Sequence, residues 1–89
     1  MYTVYLLENA DDRSWYIGFT TDVHRRLREH NQGIGSQHTR RKSTKWRLIY
    51  CEAYLDKRDA LGREKFLKSG TGRKFLKNQL HNYLENRPT

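Results

Sequence analysis

Eighty-nine residues carrying 18 Lys and Arg against 10 Asp and Glu make one small basic domain of formal charge +8. That length excludes a second domain or a large cofactor-binding fold within these residues. Apolar residues at 35%, with two Trp, six Tyr and three Phe, exclude a disordered basic tail.

Cys51 has no second cysteine to pair with, so neither an internal disulfide nor a thiolate zinc site is expected. No apolar run is long enough to span a membrane, and no secretory leader precedes the first apolar segment. The expectation is a reduced, cytoplasmic protein with no membrane partner. Its charge points to a polyanion, and it is concentrated. Residues 22–47 hold eight basic and two acidic side chains, and residues 57–77 again hold eight and two. Nucleic acid is the expected partner, DNA ahead of RNA. A basic face directed at an acidic protein, or one that only solubilises, accounts for the same count.

In chain order, Tyr2-Thr3-Val4-Tyr5-Leu6-Leu7 reads as a strand, residues 9–14 as a turn, and Trp15-Tyr16-Ile17-Gly18-Phe19 as the returning strand of a hairpin. Strand alternation sets Tyr2, Val4 and Leu6 on one face and Thr3, Tyr5 and Leu7 on the other. Thr20-Thr21-Asp22 opens a helix of about ten residues, stopped by Asn31 and Gly33. Residues 33–45 read as a basic loop, and Trp46 to Tyr54 as a third strand. Asp56 with Asp59 is an acidic analogue of a capping box and opens a second helix. Ser69-Gly70-Thr71-Gly72 interrupts, and a third helix follows on Phe75, Leu76, Leu80, Tyr83 and Leu84. The predicted fold class is α+β: a small three-stranded, mostly antiparallel sheet flanked by helices, in the order β-β-α-β-α-α.

Three sets of polar residues invite chemistry. Glu64 shares a helix face with Ala60, Leu61 and Leu67, where a carboxylate needs a partner: a cation, or a salt bridge to Arg63 or Lys68. Arg26 and His30 are four apart on one helix face, and suit a phosphate and a proton; a basic helix side with a terminal histidine explains them as simply. Tyr5 and Tyr16 sit on consecutive strands of the hairpin, where cross-strand packing explains them as well as acid–base work does. The four histidines show no metal-ligand spacing.

Tyr5, then Tyr16-Ile17-Gly18, then Thr20-x-Asp22-x-x-x-Arg26-Leu27-x-x-His30-Asn31 together resemble the GIY-YIG nuclease family. The likeness is to its small stand-alone members, which are related to the catalytic domain of the excision-repair endonuclease subunit. The first triplet reads Thr3-Val4-Tyr5, keeping the Tyr and losing the Gly; the second is intact. The family's helix arginine falls on Arg26, its histidine on His30, its metal-binding glutamate on Glu64 and, more loosely, a late asparagine on Asn78. The resemblance covers roughly residues 2–80 and implies one nuclease domain over residues 1–89.

What the resemblance implies is a divalent-metal-dependent endonuclease that hydrolyses DNA phosphodiester bonds with little intrinsic sequence preference, in DNA repair or recombination. Glu64 would hold Mg²⁺ or Mn²⁺, and Arg26 would stabilise the pentavalent phosphate. Tyr5 would take or orient the proton of the attacking water, with Tyr16 and His30 easing its deprotonation. Gly18 would let the backbone approach the phosphate, and Arg40, Arg41, Lys42, Lys65, Lys68 and Asn78 would track the strand. Trp15 is placed to stack on a base, and Trp46 to pack in the core. A protein partner would supply specificity, and a homodimer would bring two centres to two strands. The competing expectations are a non-catalytic nucleic-acid-binding module of the same fold and a basic protein-interaction domain.

Overall fold

A computed structural model of the chain describes residues 1–34 and 45–87. Three strands, β1 (Tyr2–Asn9), β2 (Trp15–Thr20) and β3 (Trp46–Tyr54), form an antiparallel sheet in the order β2-β1-β3. The helices are α1 (Val23–Asn31), α2 (Lys57–Leu67), α3 (Gly70–Gln79) and α4 (His81–Glu85). The predicted class and order agree with this arrangement. The last predicted helix runs as two pieces, because Leu80, at φ −105° and ψ 21°, leaves the helical region between them.

β1 lies in the middle of the sheet, and that explains why both of its faces are apolar. Val4 and Leu6 pack with Ile17, Ala60, Leu67 and Leu76 beneath α2 and α3. Tyr5 and Leu7 pack with Trp46 on the other face, where Val23 and Leu27 of α1 close over them. The predicted alternation is thus the alternation found, and Trp46 packs in the core as expected. β2 is left as an edge strand, its outer side free of strand pairing.

Short-range chemistry sets the helix starts. The Asp22 carboxylate accepts from the Arg25 N–H at the start of α1. Asp56 accepts from the Arg58 N–H and pairs with the Arg58 guanidinium, so the cap works through residue 58 and not through the predicted pairing with Asp59. Ser69 caps α3 through the Gly72 N–H at 3.1 Å, which turns the predicted interruption into a helix start. At the far end of α1, the Asn31 side chain accepts from the Trp46 N–H at 2.7 Å and donates to the Trp46 carbonyl at 2.9 Å. This two-bond clamp ties the helix end to the first residue of β3.

Among the described residues, no helix is long and apolar enough to cross a membrane.

Candidate active site

Tyr5 stands directly across from Gly18 in the β1–β2 register, and its ring lies over that glycine towards the sheet edge. A Cβ on Gly18 would overlap the Tyr5 hydroxyl and approach Tyr16 Cε1 to 3.0 Å. The space opened by Gly18 is therefore filled by the two phenol rings. The missing Cβ at Gly18 thus makes room for Tyr5.

The Tyr5 hydroxyl lies 3.0 Å from His30 Nε2, and the Tyr16 ring packs 4.9 Å from the His30 ring, centroid to centroid. Tyr5 is 2% exposed and His30 fully buried, whereas Tyr16 is half-buried and faces a cleft. Burial pushes the Tyr5 phenol up to about 12, against a hydrogen bond from Arg26, with the Tyr16 and Glu64 charges adding to the rise. Burial also takes His30 down to about 4, with the Arg26 charge acting in the same direction and Glu29 opposing. Both groups are thus neutral at pH 7. Arg26 can only donate, so the phenol oxygen accepts from it, while the direction of the Tyr5–His30 bond is set by the His30 tautomer.

That neutral histidine has a measurable consequence. Its folded value lies below the ordinary 6.5, so its contribution is complete above about pH 6.5 and is lost as pH falls towards 4. Between about pH 7.5 and about pH 5, chemical denaturation should show a loss of about 2 kcal/mol. A His30→Gln variant should lack that loss.

Arg26 is half-buried and reaches two groups. Its Nη1 donates to Glu29 Oε1 at 2.9 Å, and its guanidinium hydrogen-bonds Tyr5. Glu29 was missed in the sequence reading, although its i, i+3 spacing from Arg26 was the signal. Its carboxylate partly neutralises the Arg26 charge.

Glu64 comes from α2, on the opposite face of the sheet from α1. Its carboxylate is 19% exposed and takes the Lys68 ammonium at 3.0 Å on Oε2. Lys68 is one of the two salt-bridge partners expected; the other, Arg63, instead grips Glu52 with two bonds of 2.8 and 3.0 Å. Glu64 is near enough to act on the Tyr5 phenol, and Lys68 shares a cleft of about 230 Å³ with Tyr16. The phenols, Arg26 and His30 thus gather on the α1 side of the sheet, while Glu64 with Lys68 stands on the α2 side.

The remaining predicted contacts fall apart from this cluster or outside the description. Lys65 is exposed on α2, and Asn78 is exposed on α3, where its carbonyl lies 3.2 Å from His81 Nδ1. Arg40, Arg41 and Lys42 lie outside the described residues. Among the described residues, no three His, Cys, Asp or Glu side chains come together as metal ligands.

Residues 1–78 match the model of the GIY-YIG catalytic domain. The chain belongs to the GIY-YIG family. Its relatives are small proteins carrying the family label UPF0213. One from Haloquadratum walsbyi is 46% identical over 71 residues, which is 80% of this chain and 78% of that protein. YazA of Bacillus subtilis is 39% identical over 64 residues, 71% of this chain and 63% of its own length. The solution NMR structure of a UPF0213 protein from Bacillus halodurans is 36% identical, with a TM-score of 0.54 over 89% of this chain and 85% of that one. The matched range includes Tyr5 on β1, Tyr16 and Gly18 on β2, and His30 on α1.

Proposed function

We propose that this GIY-YIG domain is an endonuclease that hydrolyses DNA phosphodiester bonds with a divalent cation. One observation carries the reading: Tyr5, Tyr16, His30 and Arg26, from three different elements, meet beside Gly18, and the Glu64 charge on a fourth element acts on the Tyr5 phenol. Packing alone gives no reason to gather an arginine, two phenols and an imidazole at one place in the sheet.

The donor set fits Mg²⁺ or Mn²⁺. Glu64 offers a hard carboxylate, and its tie to Lys68, whose side chain is 55% exposed, is weak enough for a cation to displace. Magnesium commonly takes one or two carboxylates and completes its shell with substrate phosphate and water, so a three-ligand cage is not required. When bound, such an ion supplies charge neutralisation at the phosphate and a more acidic water.

The chain's own residues do the rest. Arg26 exchanges Glu29 for a non-bridging phosphate oxygen and holds the charge that grows there in the transition state. Tyr16 faces the cleft and is the phenol that orients the attacking water. Tyr5, at 2% exposure, takes the supporting place first expected of Tyr16: it accepts from Arg26, hydrogen-bonds His30, and so sets the guanidinium. Lys68 and the exposed Lys65 steady the strand by charge and carry little base information. We assign the activity to DNA repair or recombination in the cytoplasm. A protein partner would supply sequence choice, and a second copy would bring a second centre to the other strand.

Two conservative variants test this division of labour. Tyr16→Phe should slow cleavage by about 10²–10³-fold with DNA binding unchanged. Tyr5→Phe should cost about 1 kcal/mol of stability and reduce cleavage by about tenfold through a loosened Arg26. Full activity in Tyr16→Phe would overturn the assignment.

The second reading is a nucleic-acid-binding module of the same fold that does not turn over. It is favoured by the lack of a three-ligand cation cluster among the described residues. It predicts salt-sensitive DNA binding with no product on any DNA in Mg²⁺ or Mn²⁺.

A further inference from the structure

A second cleft adjoins the proposed centre and is not used by it. It has a volume of about 450 Å³ and lies among Arg13, Trp15, Arg73, Lys77, Leu84 and Arg87. Trp15 and Arg73 also line the smaller cleft that reaches Tyr16 and Lys68, so the two spaces are neighbours with a shared wall. Along β2 the side chains alternate: Tyr16 points to the α1 face, while Trp15 and Ile17 point to the face of α2 and α3.

We propose that this second cleft is a subsite for one unpaired nucleotide of the strand being cut. The inference rests on the nuclease reading for its position beside the scissile phosphate. Three features carry it. The first is a stacking platform: the Arg73 guanidinium lies 5.5 Å over the Trp15 ring, a planar cation on an aromatic face. The platform is held rigid, because Trp15 Nε1 donates at 3.0 Å to Glu8, a carboxylate 1% exposed that also accepts from the Tyr83 hydroxyl at 2.6 Å.

The second feature is charge. Arg13, Arg73, Lys77 and Arg87 surround the cleft, and Glu8, beneath it, approaches Arg87 Nε only to 3.6 Å. That Nε is buried and makes no hydrogen bond, and it is ion-paired with Glu8. The third is shape. A volume near the lower end of small-molecule sites suits a single nucleotide, with Leu84 and Trp15 as its apolar wall. A paired base has both faces covered by its neighbours and cannot enter, whereas an unstacked base offers a π-face and a phosphate together. An acidic peptide offers charge without the ring.

The test is binding by fluorescence anisotropy of the intact chain in EDTA, so that cleavage plays no part. The probes are labelled oligo-dT, the same oligomer made abasic, and a duplex of equal length. Oligo-dT should bind about tenfold more tightly than the abasic strand. Arg73→Ala should erase most of that preference, and Arg73→Ala with Lys77→Ala should lower the salt slope by about 0.7 per contact removed. Trp15→Phe, which keeps a ring, should retain the preference for bases.

Equal binding of the abasic strand or of the duplex would overturn the subsite, as would competition by polyglutamate as effective as that by oligo-dT. The outcomes separate from those of the nuclease reading. A base preference in a protein that never cuts would sink catalysis alone, and cleavage without that preference would sink the subsite alone.

Discussion

Glu64→Gln is expected to reduce cleavage of DNA in Mg²⁺ by about 10²–10³-fold while leaving the unfolding midpoint almost unchanged. The substitution keeps the volume of the side chain and removes one charge. The pairing it breaks, with an exposed Lys68, contributes at most about 1 kcal/mol to stability. A large kinetic loss with a small thermodynamic one identifies a carboxylate kept for the cation and not for the fold. Single-turnover cleavage and a denaturant titration on the same preparation measure both. Cleavage as fast as wild type would remove Glu64 from the centre, and the binding-module reading would then stand in its place.

Gly72→Ala should be the most destabilising single-methyl change in the chain. A Cβ there would lie 2.6 Å from Leu67 Cα and 2.7 Å from the Phe66 carbonyl carbon, and closer still to the Phe66 oxygen. All three are backbone atoms, so no rotamer relieves the clash, and α3 must move away from the end of α2. That movement opens the core where Leu67, 2% exposed, meets Leu76, which is fully buried. The expected loss is about 3 kcal/mol or more, a large share of the stability of a domain this size. Denaturant unfolding would show it as a lower midpoint with an unchanged slope. Gly70→Ala, two residues earlier, meets nothing within 4 Å and serves as the neutral control.

The two glycines illustrate how local pattern and tertiary use diverge. Ser69-Gly70-Thr71-Gly72 reads as an interruption because two glycines and two hydroxyls are turn chemistry in any isolated segment. In the fold, Ser69 is a helix cap, and Gly72 is the point where one helix starts against the end of another. Gly18 is comparable: its triplet is readable, but the Tyr5 ring that fills its missing side chain comes from a strand whose register no local rule supplies.

The sequence by itself determined the elements and the candidates. Period-two apolar runs marked β1, β2 and β3, polar caps marked the starts of α1 and α2, and the spaced Tyr, Arg, His and Glu residues carried the family resemblance. These signals are local, and backbone geometry fixes their periods whatever the rest of the chain does. Only the tertiary structure decided which phenol meets solvent, that Glu29 shares Arg26, that Glu64 pairs with Lys68 on the other face of the sheet, and that Trp15 and Arg73 line two neighbouring clefts. Which face and which cleft a residue meets depends on contacts between residues far apart in the chain, set by strand order and by which edge stays unpaired. Burial and charge proximity are properties of the assembled molecule and have no counterpart in residue spacing.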